Sequence, residues 1–221
     1  MSRLIGVNEL SEQPVGAITN DPLPKDAALI GEGGTTGNTD PFSPCPEGSL
    51  FVNDPTPTTG SWSAATSVAN GGYKVYQPFS GLSGNIGSAM FWGLSLQYNL
   101  GWSACNEDPK EFLIEFWEPG STPGANVASY TVEAYRVPTG EFALGFEIYE
   151  WTCNFPGTAI SDGWISIQET DTGTPACWFL WWNSTSGTGN ALQWDGVSYT
   201  NLGYPMSLCL GAGGGSGSWL T

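Results

Sequence analysis

The sequence predicts an all-β chain: a single antiparallel β-sandwich, jelly-roll-like, of about nine or ten strands with an extended N-terminal arm. Three observations carry that expectation. The 221 residues include 31 glycines and 16 prolines, set with Ser, Thr and Asn between short apolar runs, a composition of turns and strands. From Cys45 onward these runs recur at roughly the 8–12-residue spacing of a sandwich or barrel. No segment of about ten residues carries the 3.6-residue apolar period of a helix.

Residues 1–40 read as the arm. Two short β-like pieces, Leu4–Leu10 with Leu4, Ile5 and Val7, and Val15–Thr19 with Val15, Ala17 and Ile18, precede NDPLPKD and EGGTTGNTD. Lacking a compact apolar cluster, this stretch does not fold alone. It is either a disordered leader or an arm whose strands dock on a sheet edge, in its own subunit or a neighbour's.

Residues 41–210 form the body. Tyr73–Phe79 is a strand. In Ile86–Tyr98, Met90, Trp92, Leu94, Leu96 and Tyr98 share one face. Phe112, Ile114 and Phe116 alternate with Glu111, Leu113 and Glu115, and Val127–Val137 turns Tyr130, Val132 and Ala134 inward. Phe142, Leu144, Phe146 and Ile148 give the clearest period-two signal. In the next strand, Asp162–Gln168, Ile165 and Ile167 alternate with Ser166 and Gln168. Cys177–Asn183 follows, with Cys177, Phe179 and Trp181 on one face and Trp178, Leu180 and Trp182 on the other, so its sheet is covered on both sides. An edge piece at Ala191–Trp194 and a last strand at Tyr204–Leu210 complete the body. The glycine-rich tail, 211–221, is a spacer or a segment anchored by Trp219.

Charge and composition exclude several function classes. The net charge is −16, with Arg3, Lys25, Lys74, Lys110 and Arg136 the only cations. Nucleic acid and anionic membranes repel such a chain. Histidine is absent, which removes His-activated nucleophiles and His-ligated zinc. Charged residues are 12% of the total, about half the usual ~25%, in the style of extracellular proteins. No stretch is long enough to span a bilayer, so membrane insertion is not expected. The first residues lack the apolar core of a signal peptide, and the expectation is an extracellular or cell-surface protein whose leader is absent from this chain.

Cys45, Cys105, Cys153, Cys177 and Cys209 include no CxxC pair, so two disulfides and one leftover thiol are expected in an oxidising compartment. Connectivity is open from sequence; Cys153 and Cys177, near the ends of successive strands, are the first candidates.

SDGWISIQ, then CWFLWWNS, preceded by FWEPGSTPGANVASYTVEAYRV, resembles β-sandwich modules of large secreted or surface proteins of Bacteroidetes-like bacteria. Their GW[IV]SIQ and CWFLW strands and a F-[YW]-E-x-x-x-x-P-G-x-x-V-x-x-Y-x-V pattern match here over roughly Cys45 to Leu210. The resemblance implies an extracellular β-sandwich, often in tandem or fused to sorting domains, and implies no catalytic activity.

Candidate chemistry is sparse. Trp62, Trp102, Trp194 and Trp219 stand in turn-like contexts where a ring could stack on a sugar, with Asn99 and Asp195 to hold hydroxyls; capping the core is the commoner role for such rings. Asn106, Glu107 and Asp108 are the densest oxygen donors for Ca²⁺, the one cofactor considered, though Asp-Pro is also ordinary turn chemistry. Glu115, Glu133, Glu147 and Glu150 lie on polar strand faces with no working separation for glycoside hydrolysis. Asn183-Ser184-Thr185 is a glycosylation sequon.

The expectation is therefore a non-catalytic structural or adhesive protein that assembles with copies of itself, as a filament or surface layer, through strand addition by the arm. A carbohydrate-binding module, with a polysaccharide as partner, is the alternative.

Overall fold

The computed structural model describes residues 42–173 and 175–213, with the backbone of Ile5–Gly6 and Ala28–Glu32. Among these residues there is no helix, and the fold is all-β and antiparallel apart from the terminal β1–β2 pair and one isolated bridge.

Among the described residues fifteen strands form one continuous sheet rather than the nine or ten expected. The first limb holds β2 (Ala28–Glu32), β4 (Ser61–Thr66), β12 (Cys177–Trp182), β6 (Asn85–Tyr98) and β10 (Phe146–Ala159), side by side in that order. The outer strand β1 (Ile5–Gly6) lies on β2, while β15 (Leu208–Ala212) pairs with β6 and with β3 (Phe51–Asn53), and β7 (Trp102–Ala104) folds back on β6. The second limb runs β8 (Lys110–Trp117), β11 (Gly163–Glu169), β5 (Lys74–Phe79), β13 (Leu192–Trp194) and β14 (Tyr199–Asn201). The long strand β9 (Asn126–Ala143) joins them: its first half pairs with β8 and its second half with β10. The sheet thus curls like a half-barrel, and its limbs face each other across the core.

Period-two alternation sets what fills that core. Phe112, Ile114, Phe116, Ile165 and Ile167 of the second limb meet Phe91, Trp151, Phe179 and Trp181 of the first. Phe112 sits edge-on to Phe179, ring centroids 5.0 Å apart, a favourable quadrupole arrangement. The first limb is also buried on its other face, where Trp62, Trp92, Leu94, Trp178, Leu180 and Trp182 form a second cluster. All six side chains of β12 are buried, as its two-sided apolar sequence requires.

Four expectations change. The alternating run Phe142–Ile148 is two strands joined by a tight turn, not one. Leu144 (φ 57°) and Gly145 (φ 80°) both take the left-handed region, the signature of a two-residue hairpin turn. Ala143 then pairs with Phe146, and Phe142 points outward, 58% exposed. Ala191–Trp194 is not an edge, because β14 covers β13. The strand β4, SWSAAT, has no apolar alternation to announce it; its backbone pairs with β2 on one side and β12 on the other. The tail's first two residues, Gly211 and Ala212, belong to β15.

The disulfides are Cys45–Cys209 and Cys105–Cys177, and Cys153 is a buried free thiol. The expected Cys153–Cys177 pair is thereby corrected. Cys153 faces the core on β10 with its thiol toward the Ala89 carbonyl, whereas β7 and its following loop bring Cys105 to the start of β12.

Candidate functional site

Three places in the fold could carry function. The first is the edge of β4. Ala28–Glu32 pairs with it antiparallel over five residues, from Ala28↔Ala65 to Glu32↔Ser61, and Ile5–Gly6 pairs parallel with β2. Without β2, that edge would present unpaired N–H and C=O groups to any extended chain. Of the arm residues singled out in the sequence, Ile5 lies in β1, while Leu4, Val7, Val15, Ala17 and Ile18 lie outside the described residues.

The second is the outer face of the second limb. Opposite the core residues of each strand stand Trp117 on β8, Trp164 and Ser166 on β11, Lys74 and Tyr76 on β5, Trp194 on β13 and Tyr199 on β14. Tyr76 meets Trp117 edge-on at 5.8 Å and Tyr199 at 5.6 Å, and Trp194 meets Tyr199 at 4.8 Å. Tyr76 and Trp164 are buried, Trp117 and Trp194 partly so, and Tyr199 is exposed. Glu115 anchors the polar part. It accepts from Lys74 Nζ at 2.5 Å, Ser129 Oγ at 3.2 Å and Ser166 Oγ at 3.3 Å, while Trp117 Nε1 donates to Ser166 Oγ at 3.2 Å. Lys74 also lies 5.7 Å from the Trp117 ring centre, a cation–π distance. The result is a rigid ledge of rings beside a fixed carboxylate and hydroxyls.

The third is a buried ionic cluster at one end of the core. Lys110 opens β8 and Glu169 closes β11; both side chains are fully buried and joined as an ion pair. Lys110 Nζ also donates to Glu107 Oε2 at 3.1 Å, on a side chain 47% exposed. Burial pushes the Glu169 carboxyl up to about 7 against the opposing pull of Lys110. Its Oε2 has no hydrogen-bond partner. The Cys105–Cys177 disulfide walls the site.

The other sequence candidates take different places. Trp62 is 4% exposed and stacked on Trp182, so it is core and not a platform. Trp102 is half-buried, edge-on to Tyr98 and Trp178, away from the ledge. Trp219 lies outside the described residues. Asp195 folds onto its own turn, accepting from the Val197 and Ser198 amides. Of the three that are described, only Trp194 belongs to the ledge. Glu107 and Asp108 of the proposed Ca²⁺ loop face Lys110 and Arg136, so each carboxylate already has a cation of the chain. Cys105, Glu107 and Cys177 also lie together, but both sulfurs are spent in the disulfide. Asn183 of the sequon is buried, its Oδ1 accepting from the Ser63 amide at 2.8 Å, which is no site for a glycan.

Of the ledge, Glu115 was legible as the off-core position of a predicted strand and Trp194 as a candidate ring, whereas Trp117, Trp164 and Tyr76 were missed. Glu169 carried no such signal, because burial of one carboxylate follows from which strands meet. Compared with protein-family models, curated proteins and solved structures, the chain matches none. Among the described residues no helix is long and apolar enough to cross a membrane. The two disulfides point to an oxidising, non-cytoplasmic setting.

Proposed function

We propose that this chain is a non-catalytic, extracellular structural or adhesive protein on a jelly-roll-like β-sandwich body. It would self-assemble into a filament or surface layer by giving its N-terminal strand to a neighbour. The observation that carries this reading is the ladder of Ala28–Glu32 on the edge of β4. A strand placed by an edge ladder can be supplied by its own chain or by the next one with the same register. Donation from each subunit to the next is a heterologous contact that does not close. The low charge content and the disulfides support an extracellular setting.

Deleting residues 1–32 tests it. Light scattering and electron microscopy of the full chain should show large assemblies that the deletion abolishes, and a peptide spanning 26–34 should cap their growth. A monodisperse monomer with and without the segment would sink the proposal.

One observation favours a second reading, glycan binding. Trp194 shares a sheet face with Tyr199, Tyr76, Trp117 and the hydrogen-bonded Glu115, the pairing of ring and fixed polar group that holds a sugar. Retention on a polysaccharide gel should be lost in Trp194→Ala and Trp117→Ala and kept in Trp102→Ala. Absence of retention across a broad glycan panel argues against it.

A further inference from the structure

We propose that Lys110 and Glu169 condense into a side-chain amide, an intramolecular cross-link between β8 and β11 whose proton relay is Glu107. The proposal starts from burial. Lys110 Nζ and a Glu169 carboxylate oxygen are in contact, and neither side chain has any exposure to solvent. A buried ion pair recovers its desolvation cost only where the remaining polar atoms are satisfied. Here Glu169 Oε2 has no partner. An amide removes both charges and keeps the two groups where the fold has put them.

The site also holds the machinery that condensation requires. The fold presents amine to carboxyl inside a core, where effective molarities of roughly 10⁵–10⁸ M are attainable for well-placed groups. An amine attacks a carboxylic acid, not a carboxylate, and burial keeps the Glu169 carboxyl partly protonated near neutrality. Glu107 touches the same Nζ at 3.1 Å, yet its side chain is 47% exposed, so it links the reacting nitrogen to solvent. A further carboxylate, Asp171, lies in the same cluster, but both its oxygens accept from backbone amides, those of Gly173 and Cys177, at 2.6 and 2.8 Å. Glu107, which touches Lys110 Nζ itself, is the carboxylate placed to relay the proton.

The steps balance without a co-reactant. A proton passes from Lys110 Nζ to the Glu169 carboxylate, leaving an amine beside an acid. The nitrogen lone pair attacks Glu169 Cδ, and the carbonyl electron pair moves to oxygen. Glu107 takes a proton from the nitrogen and delivers it to the departing hydroxyl. The C–O bond breaks, water leaves on the Glu107 side, and a neutral Nζ–Cδ amide remains. One positive and one negative charge disappear, and nothing is oxidised or reduced.

Intact mass of the purified full chain, denatured and reduced, is the test. The expected value is the sequence mass less one water, and a protease digest should give a branched peptide joining the Lys110 segment to the Glu169 segment. Lys110→Arg should restore the full mass. Glu107→Gln, a change at a half-exposed side chain that leaves the core intact, should fold and remain largely unlinked, with the missing water regained. A folded wild-type chain at full mass, giving two separate peptides, overturns the cross-link. A Glu107→Gln chain linked as completely as wild type overturns the relay.

Discussion

Trp62 lies stacked on Trp182, ring centroids 4.7 Å apart and planes 25° from parallel. The pair sits on the outer face of the first limb, where β4 meets β12, and Trp182 Nε1 donates to the Thr56 carbonyl at 2.8 Å. This face is thus a second core and not a binding surface.

Trp62→Ala should accordingly cost about 3–5 kcal/mol, the range for emptying a large aromatic site. The loss would be read in the urea midpoint or as a fall in Tm of roughly 2–4 °C per kcal/mol for a chain of this size. A loss below about 1 kcal/mol would show that the ring is solvent-accessible after all.

Gly93 of β6 pairs with Trp181 of β12. A Cβ there would stand 2.4 Å from the Phe179 ring and 2.5 Å from the Leu180 carbonyl oxygen. The carbonyl is backbone in a hydrogen-bonded ladder and cannot yield. Gly93→Ala should destabilise by at least the roughly 1–3 kcal/mol of an overpacked core, with β6 and β12 losing hydrogen-exchange protection first. Wild-type stability would mean the two strands are spaced more widely.

Cys153 is the one cysteine outside a disulfide, and burial raises its thiol to about 12. Thiolate is the reactive form, so an alkylating reagent at pH 8 should leave the native protein unlabelled. Under denaturant without reductant it should label one site per chain, and the modified peptide should contain Cys153. Labelling at Cys105 or Cys45 instead would contradict the disulfide pattern.

Glu150, half-buried on β10, has its carboxyl pushed above the usual range by burial, with the Trp92 indole pulling the other way. The folded state therefore holds this proton more tightly than the unfolded chain. Its contribution to stability is fully present below the unfolded value and fades as pH rises through the folded one. Thermal melts of Glu150→Gln and wild type should coincide at low pH, with the variant melting higher at neutral pH. A constant difference across pH would show that Glu150 is solvated.

Much of the scaffold was legible because period-two alternation is a local property. Whether Ile165 points inward and Ser166 outward follows from the pleat alone, and so does the two-sided burial of Cys177–Trp182. Alternation carries no sign of direction, however. The run Phe142–Ile148 keeps its apolar spacing through a chain reversal, and only Gly145 hinted at the turn. The ledge was visible only in Glu115 and Trp194, because the strand order β8–β11–β5–β13–β14 that puts Trp117 beside Tyr76 is a matter of long-range pairing.

By itself the sequence determined the all-β class, the two-sided strand β12 and the absence of histidine chemistry, since composition and nearest neighbours decide these. The tertiary structure alone decided the disulfide partners, the docking of Ala28–Glu32 on β4 and the burial of Lys110 against Glu169. Each depends on which distant segments share an edge or a core, and Lys110 and Glu169, 59 residues apart, meet only because β8 and β11 pair.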